Sequence, residues 1–302
     1  MRRRAWQVCA LGVVIVSAAG ACRHQLDDGP IAYATVAAMQ VPPADARVAY
    51  GPGPLQFGDL RLPNGSGPFP VVVFIHGGCW QSDFTLDHVG PATAALARSG
   101  VATWTIEYRR IGDAGGGWPG TFEDVARATA YVEQLATKYP LDLGRVVLAG
   151  HSAGGQLALW AADRQRTAIG DAPPVPASMT IRGVVSLAGI TDLRAYGAAP
   201  GGCNQSVREL LNGVAGDRPD RYAAVSPIEQ LPLGVASRLI HGSIDRIVPV
   251  AQSRSFAERA RAAGDDARLV IIPRAGHFDL IAPTSAAWPS VVRAVGELVA
   301  NH

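Results

Sequence analysis

Apolar and polar positions divide most of this chain into two kinds of segment. Short, fully apolar, β-branched runs such as residues 71–75 recur, and longer segments of helical character lie between them. A short run without polar positions is typical of a strand that is covered on both faces. The alternation from residue 71 onward therefore predicts an α/β fold with a mostly parallel central sheet and helices on both faces.

The same pattern assigns the individual elements. Strands are predicted at residues 55–62, 71–75, 101–106, 146–149, 183–188, 237–241 and 267–272. Helices are predicted at residues 91–98, 122–139, 156–163, 251–263 and 286–299. Residues 192–227 are irregular and rich in small and polar residues, and we interpret them as a lid-like insertion over the sheet.

The first 22 residues have the pattern of an export signal. Arg2, Arg3 and Arg4 precede a short apolar run, which ends in Ala19-Gly20-Ala21-Cys22. A cysteine directly after small residues resembles the lipobox of bacterial lipoproteins, so we expect Cys22 to carry a lipid that anchors the protein to a membrane. The alternative is ordinary cleavage nearby, with Cys22 incidental. Both alternatives predict an exported protein, either a periplasmic or cell-envelope lipoprotein or a secreted one.

The remainder of the chain divides into an extension and a folded domain. Residues 23–54 mix Pro, Gly, Ala and Asp without periodicity, which predicts a linker or a loosely docked extension. Residues 55–302 form the predicted catalytic domain. Its two cysteines are Cys79 and Cys203. An exported compartment permits a disulfide, but nothing in the sequence brings these residues together, and we do not expect them to pair.

Composition and charge exclude several functions. The chain has 302 residues, of which 48% are hydrophobic, and a formal net charge of +2. Such a chain can bury a large core in one domain, and the weak charge does not favour a nucleic-acid partner. No His or Cys spacing typical of a metal site is present. The sequence predicts no cofactor and no metal.

The segment Gly150-His151-Ser152-Ala153-Gly154 carries the chemistry of the chain. It follows a buried strand and precedes a helix, which is the context of a nucleophile elbow. Glycines on both sides of the serine let the backbone turn sharply, and the turn presents the hydroxyl above the sheet. This context predicts Ser152 to be a catalytic nucleophile.

Two later residues complete a predicted catalytic triad. A serine hydroxyl needs a base to accept its proton, and the base needs an acid to orient it. Asp245 follows one late strand and His277 follows the next. In open α/β sheets, active sites form at the carboxyl ends of the strands. Folds with a nucleophile elbow carry the triad in the sequence order Ser, Asp, His, which is the order found here. Asp192 is the competing acid, and the spacing from His277 favours Asp245.

Other polar residues nearby are given structural roles. We expect the side chain of His151 to point away from the site, because it neighbours the nucleophile on a sharp turn. His241 ends a buried strand and is predicted to be structural. The set Glu107, Arg109 and Asp124 is predicted to form a buried ion pair or clamp beside the site.

The oxyanion of an acyl-transfer intermediate needs backbone donors. The N–H group of Ala153 is one candidate, and the loop at Gly77 and Gly78 supplies others. Trp80 is predicted to line the substrate pocket, with a position in the core as the alternative. This loop reads His76-Gly77-Gly78-Cys79-Trp80.

Together these motifs resemble the α/β-hydrolases, and in particular the esterase/lipase branch related to hormone-sensitive lipase. The His-Gly-Gly-x-Trp form is similar to that of kynurenine formamidases and their esterase relatives. The resemblance covers the chain from about residue 55 onward. It implies that Gly78 and Cys79 donate to the oxyanion.

This resemblance and the triad predict a serine hydrolase that cleaves small carboxylic esters through an acyl-enzyme. An arylformamidase-like amidase is the first alternative. An exopeptidase of the prolyl-oligopeptidase type is the second, and its relatives normally carry an additional N-terminal propeller. The alternative of a different class is a catalytically silent binding protein on the same scaffold.

Overall fold

The computed structural model describes residues 29–162, 169–171 and 173–300. The predicted export signal at residues 1–22, including Cys22, lies outside these residues. Within them, eight strands form one sheet in the order β1-β2-β4-β3-β5-β6-β7-β8. The strands are β1 (Ala46–Ala49), β2 (Phe57–Arg61), β3 (Phe69–Ile75), β4 (Ala102–Ile106), β5 (Leu141–His151), β6 (Ile181–Leu187), β7 (Ala236–Gly242) and β8 (Ala267–Ile272).

Strands β3 to β8 are parallel to one another, whereas β2 is antiparallel to β4 and β1 is antiparallel to β2 at one edge. The helices of the described residues are α1 (Tyr33–Ala37), α2 (Gly90–Arg98), α3 (Gly120–Ala130), α4 (Val132–Ala136), α5 (Ala153–Ala162), α6 (Leu193–Ala198), α7 (Asn204–Leu210), α8 (Pro219–Val225), α9 (Ala251–Ala262) and α10 (Trp288–Val299). The prediction of a mostly parallel α/β-hydrolase sheet is confirmed.

The apolar strands are explained by two cores, one on each face of the sheet. In β3, Val71, Val73 and Ile75 enter one core, and the alternate residues Val72 and Phe74 enter the other. Successive side chains of a strand point to opposite faces, so a strand between two helical layers must be apolar at every position. Helices α3, α5 and α9 supply the first core, and helices α2 and α10 supply the second.

The structure corrects the predicted boundary at residue 55. Strand β1 lies within the segment predicted to be a linker, and it pairs with β2 from Ala46 opposite Leu60 to Ala49 opposite Phe57. Helix α1 also docks on the domain, and its Val36 is 1% exposed. A strand of four residues and a helix of five are too short to show a recognisable apolar pattern in the sequence. Tertiary contacts, rather than local preference, hold them in place.

The insertion between β6 and β7 is helical rather than irregular. It contains α6, α7 and α8, and buries Leu193, Val207 and Tyr222 against the rest of the domain. Each helix has only six or seven residues, so none shows a full amphipathic period in the sequence. Among the described residues, no helix has the length and apolar character needed to cross a membrane.

Candidate active site

Ser152 lies on a sharp turn between β5 and α5. Its φ is +57°, in the left-handed region that residues other than glycine rarely adopt. The two flanking glycines are required by close backbone approach. A Cβ at Gly150 would collide with the carbonyl oxygen of Gly154, and one at Gly154 would collide with that of Ile75. The Ser152 N–H donates to the Leu187 carbonyl at 2.8 Å, which holds the turn against β6.

Asp245 and His277 form a buried hydrogen-bonded pair at the ends of β7 and β8. His277 Nδ1 lies 2.6 Å from Asp245 Oδ2, and the two side chains are 5% and 0% exposed. The backbone N–H groups of Ile247 and Val248 donate to Asp245 Oδ1 at 2.8 and 2.9 Å. The competing acid, Asp192, instead caps α6 by accepting from the Ala195 N–H.

The surroundings of Asp245 stabilise its charged form. Burial raises the pKa of this carboxyl, but hydrogen bonds from His241 and His277 and from the Ile247 N–H outweigh that effect and hold its pKa well below the ordinary value. His241 Nε2 lies 3.5 Å from Asp245 Oδ2, and its Nδ1 lies 2.7 Å from Ser253 Oγ. The ionised Asp245 orients the His277 ring and leaves its Nε2 available as a base.

Ser152 and His277 line the same cavity, which has a volume of about 100 Å³. Among the described residues, no hydrogen bond joins the Ser152 hydroxyl to the His277 ring. Such bonds are often long in structures without substrate and tighten when substrate binds. A larger cavity of about 470 Å³ lies against Arg47, Asp59 and Arg61, and none of the three predicted triad residues lines it.

The loop after β3 brings backbone donors to this cavity. Gly78 and Cys79 line it, with φ angles of +105° and +54°. Ala153 begins α5, directly after the serine. Within the described part of the chain, the N–H groups of Gly78, Cys79 and Ala153 donate no hydrogen bond. Three free donors beside a serine are what a tetrahedral oxyanion requires.

A disulfide joins Cys79 to Cys203, contrary to our expectation that these cysteines do not pair. Their Cα atoms are 5.2 Å apart although 124 positions separate them in the sequence. Cys203 directly precedes α7 of the insertion. Gln81 reinforces the connection, since its Nε2 donates to Ser206 Oγ at 3.0 Å and to Glu209 Oε2 at 2.9 Å. The insertion is therefore fixed covalently to the loop that holds Gly78 and Cys79.

The structure also corrects the positions of two predicted residues. Trp80 does not line the cavity. It is 0% exposed, and its Nε1 donates to Gln156 Oε1 at 3.1 Å, so it supports the loop from the core. His151 does not point away from the site. Its ring lies 4.4 Å from the His277 ring, and its Nε2 donates to the His277 carbonyl at 3.0 Å. Burial lowers the pKa of His151 well below the ordinary value, with a further contribution from His277.

The predicted clamp beside the site contains two separate networks. Arg109 binds Asp124 through Nε and Nη2, each at 2.8 Å. Glu107 instead lies 2.8 Å from His76 Nε2, on the loop that leads to Gly78. Burial raises the pKa of Glu107, but His76 and Arg110 outweigh that effect, so its net shift is downward. Both networks hold loops near the cavity without lining it.

Several residues that line the cavity were missed in the sequence. They are Tyr33, Phe84, His88, Ile247 and Phe278. Phe278 directly follows His277 in the sequence, which was a usable signal. Tyr33, Phe84 and His88 lie in segments without periodicity, and only the fold brings them to Ser152. Among the described residues, no group of three or more His, Cys, Asp or Glu side chains could hold a metal ion.

Comparisons with known proteins agree with this geometry. A sequence model of the BD-FAE family matches residues 59–260. Esterase LipC of Mycobacterium tuberculosis is 30% identical over 78% of this chain and 60% of its own length. The probable carboxylic ester hydrolase LipM of the same organism is 26% identical over 77% of this chain and 54% of its own length. The chain thus spans little more than half the length of these curated relatives.

Solved structures show the same fold. A truncated carbohydrate esterase from gut microbiota superposes with a TM-score of 0.72 and 22% identity, covering 85% of this chain and 99% of that one. The apo form of Thermogutta terrifontis esterase 2 superposes with a TM-score of 0.71 and 22% identity, covering 87% of this chain and 98% of that one. At these identities the likeness concerns the fold.

Proposed function

Because the chain belongs to the BD-FAE family, in the esterase/lipase branch of the α/β-hydrolases, we propose that it is a serine hydrolase that cleaves carboxylic esters through an acyl-enzyme. The observation that carries this proposal is the 2.6 Å contact of His277 Nδ1 with Asp245 Oδ2, at the cavity that also holds the strained Ser152. An oriented imidazole beside a serine on an elbow is the arrangement that activates a hydroxyl.

In the proposed first step, Ser152 Oγ attacks the ester carbonyl carbon while His277 Nε2 accepts the hydroxyl proton. Asp245 stabilises the imidazolium that forms, because its low pKa keeps it ionised. The carbonyl π electrons move to oxygen, and the N–H groups of Gly78, Cys79 and Ala153 donate to that oxyanion. Removing one such donor typically lowers kcat by about 10²- to 10³-fold.

In the proposed second step, the intermediate collapses and His277 gives its proton to the leaving alcohol. The acyl group stays on Ser152. Water then attacks the acyl-enzyme carbonyl, with His277 again accepting the proton. As this second intermediate collapses, the bond between Ser152 Oγ and the acyl carbon breaks, His277 returns the proton to Ser152, and the acid is released. The free N–H groups at Gly78 and Cys79 support this route, because they serve both tetrahedral intermediates without rearrangement.

The deciding experiment compares wild type with Ser152→Ala on p-nitrophenyl acetate, short alkyl esters, N-formylkynurenine and an acylamino-acid p-nitroanilide. We expect ester turnover by wild type and a loss of about 10⁴-fold or more in the variant, because the nucleophile is removed. Circular dichroism of both proteins checks the fold. Equal rates in the two proteins would contradict the proposal, and turnover of only the amide substrates would favour the amidase alternative. No turnover of any substrate would favour the binding-protein alternative.

We also propose that the protein is exported and that Cys22 carries a lipid. The disulfide supports export, since such bonds persist in oxidising compartments and are rare in the cytosol. The small residues before Cys22 support lipidation. Fractionation of cells that express the wild type and Cys22→Ser, followed by mass spectrometry of the mature N-terminus, tests both points. Membrane association that is unchanged in Cys22→Ser would contradict lipidation, and a retained residue 1 would contradict cleavage.

A further inference from the structure

The N-terminal segment contributes an aromatic wall to the cavity beside Ser152. Tyr33, on α1, lines this cavity. Its ring centroid lies 5.5 Å from those of Phe84 and Phe278 and 5.8 Å from that of His88. These distances are typical of packed aromatic pairs. The four rings therefore form one continuous surface, to which three separate parts of the chain contribute.

Helix α1 is held beside the predicted base. The Ile31 N–H donates to Asp279 Oδ2 at 3.0 Å, and the same oxygen accepts from the Gly276 N–H at 2.9 Å. One carboxylate thus joins the start of α1 to the turn that carries His277. Val36 secures the other end of the helix in the core, where it is 1% exposed. The position of Tyr33 relative to His277 is consequently defined by buried contacts.

The cavity that these rings enclose is small. Its volume is about 100 Å³. Sites that enclose drug-sized ligands typically have volumes of about 300–1,000 Å³. The space beside Ser152 is well below that range and accepts only a short substituent. An ester whose substituent is longer must displace a wall or extend beyond it.

The acyl group is the part of the substrate that has to fit this space. It remains bonded to Ser152 after the alcohol has left, whereas the alcohol departs to solvent. We propose that Tyr33 closes the cavity at its outer end and restricts the protein to short acyl groups of two to four carbons. This inference rests on the proposed ester hydrolysis. Tyr33 lies on a segment that holds none of Gly78, Ser152, Asp245 and His277, so its side chain can change without moving the donors, the nucleophile or the base.

The test measures kcat/KM for p-nitrophenyl acetate, butyrate, hexanoate and octanoate with wild type, Tyr33→Ala and Tyr33→Phe. For wild type we expect a fall of about tenfold or more from butyrate to octanoate, since a few methylenes in a tight pocket discriminate by at least this factor. Tyr33→Ala should raise the octanoate-to-acetate ratio by about tenfold or more. Tyr33→Phe is the matched control: within the described residues the Tyr33 hydroxyl makes no hydrogen bond, so its ratio should equal that of wild type.

Three results would overturn the inference. The first is a wild type that hydrolyses octanoate as fast as acetate. The second is a folded Tyr33→Ala with the wild-type ratio. The third comes from acetate esters whose alcohol lengthens from methyl to hexyl. If Tyr33→Ala changed the relative kcat/KM only in this series and not in the acyl series, the cavity would hold the alcohol. If Tyr33→Ala does not fold, Tyr33→Trp replaces it and should lower the butyrate-to-acetate ratio. Activity that survives in Ser152→Ala would instead refute the proposed function.

Discussion

Loss of the Cys79–Cys203 disulfide should affect both stability and turnover. The bond joins the loop that holds Gly78 to the start of α7. We choose Cys203→Ala as the perturbation because Cys203 does not line the cavity, whereas Cys79 does. Reduction of the wild type removes the same bond without a mutation. The two perturbations together separate loss of the bond from loss of the sulfur atom.

The expected loss of stability follows from the length of the closed loop. The two cysteines are 124 positions apart. In the chain-entropy description, a crosslink over a loop of this length lowers the conformational entropy of the unfolded chain. This raises the free energy of the unfolded state by about 5 kcal/mol at 25 °C. Cys203 is 1% exposed, so alanine also leaves a small void, which adds of order 1 kcal/mol.

We expect loss of the disulfide to lower turnover only moderately. The hydrogen bonds of Gln81 to Ser206 and Glu209 remain and still hold the loop to α7. Complete loss of one oxyanion donor costs about 10²- to 10³-fold in kcat, so a loop that is only loosened should lose about tenfold. KM should change less than kcat, since the donors act on the developing charge.

Urea unfolding and p-nitrophenyl acetate kinetics measure both effects, with and without a thiol reductant. Wild type should lose stability and turnover on reduction, and Cys203→Ala should respond to reductant in neither assay. The reasoning would be refuted if mass spectrometry of the unreduced protein did not find the linked Cys79 and Cys203 peptides, or if reduction left the unfolding midpoint unchanged.

Two further predictions concern titratable groups at the site. Asp245→Asn should lower kcat by about 10⁴-fold while circular dichroism stays unchanged, because an amide holds the His277 ring in the wrong tautomer; kinetics near wild type would contradict the role of Asp245. Burial lowers the pKa of His88 from 6.5 to about 3, so the folded state keeps this ring neutral while the unfolded chain protonates it. The free energy of unfolding should therefore be highest above pH 6.5 and should decrease as the pH is lowered, by about 2 kcal/mol at pH 5. Urea unfolding at pH 7 and pH 5 measures the decrease in the free energy of unfolding. This decrease should be smaller in His88→Gln than in wild type by this amount, and equal decreases in the two proteins would contradict the prediction.

Local pattern was sufficient to predict the parallel part of the sheet and the helices that cover it. The apolar run at residues 71–75 and the glycines around Ser152 report requirements that a few neighbouring residues must meet by themselves. A strand between two helical layers has to be apolar on both faces, and a tight elbow excludes a Cβ at Gly150 and Gly154. Asp245 and His277 could also be selected, because strand ends in such a sheet meet at one edge.

The positions of several side chains depended on contacts between distant segments. The sequence did not suggest that Cys79 meets Cys203, Trp80 was assigned to the substrate pocket rather than to the core, and His151 was expected to point away from the ring it contacts. Each of these outcomes depends on how the insertion or a loop packs on the domain. No periodicity records such packing, because only one or two residues from each segment take part.

What the sequence determined by itself is the scaffold and the chemistry at its strand ends, since both are written in short-range patterns of apolar residues and glycine. What the tertiary structure alone decided is the shape of the space around Ser152. Tyr33 comes to that space from a segment with almost no pattern, held by Ile31 and Asp279, which are 248 positions apart. A cavity wall is built from residues of unrelated positions, so its members become visible only after the chain has folded.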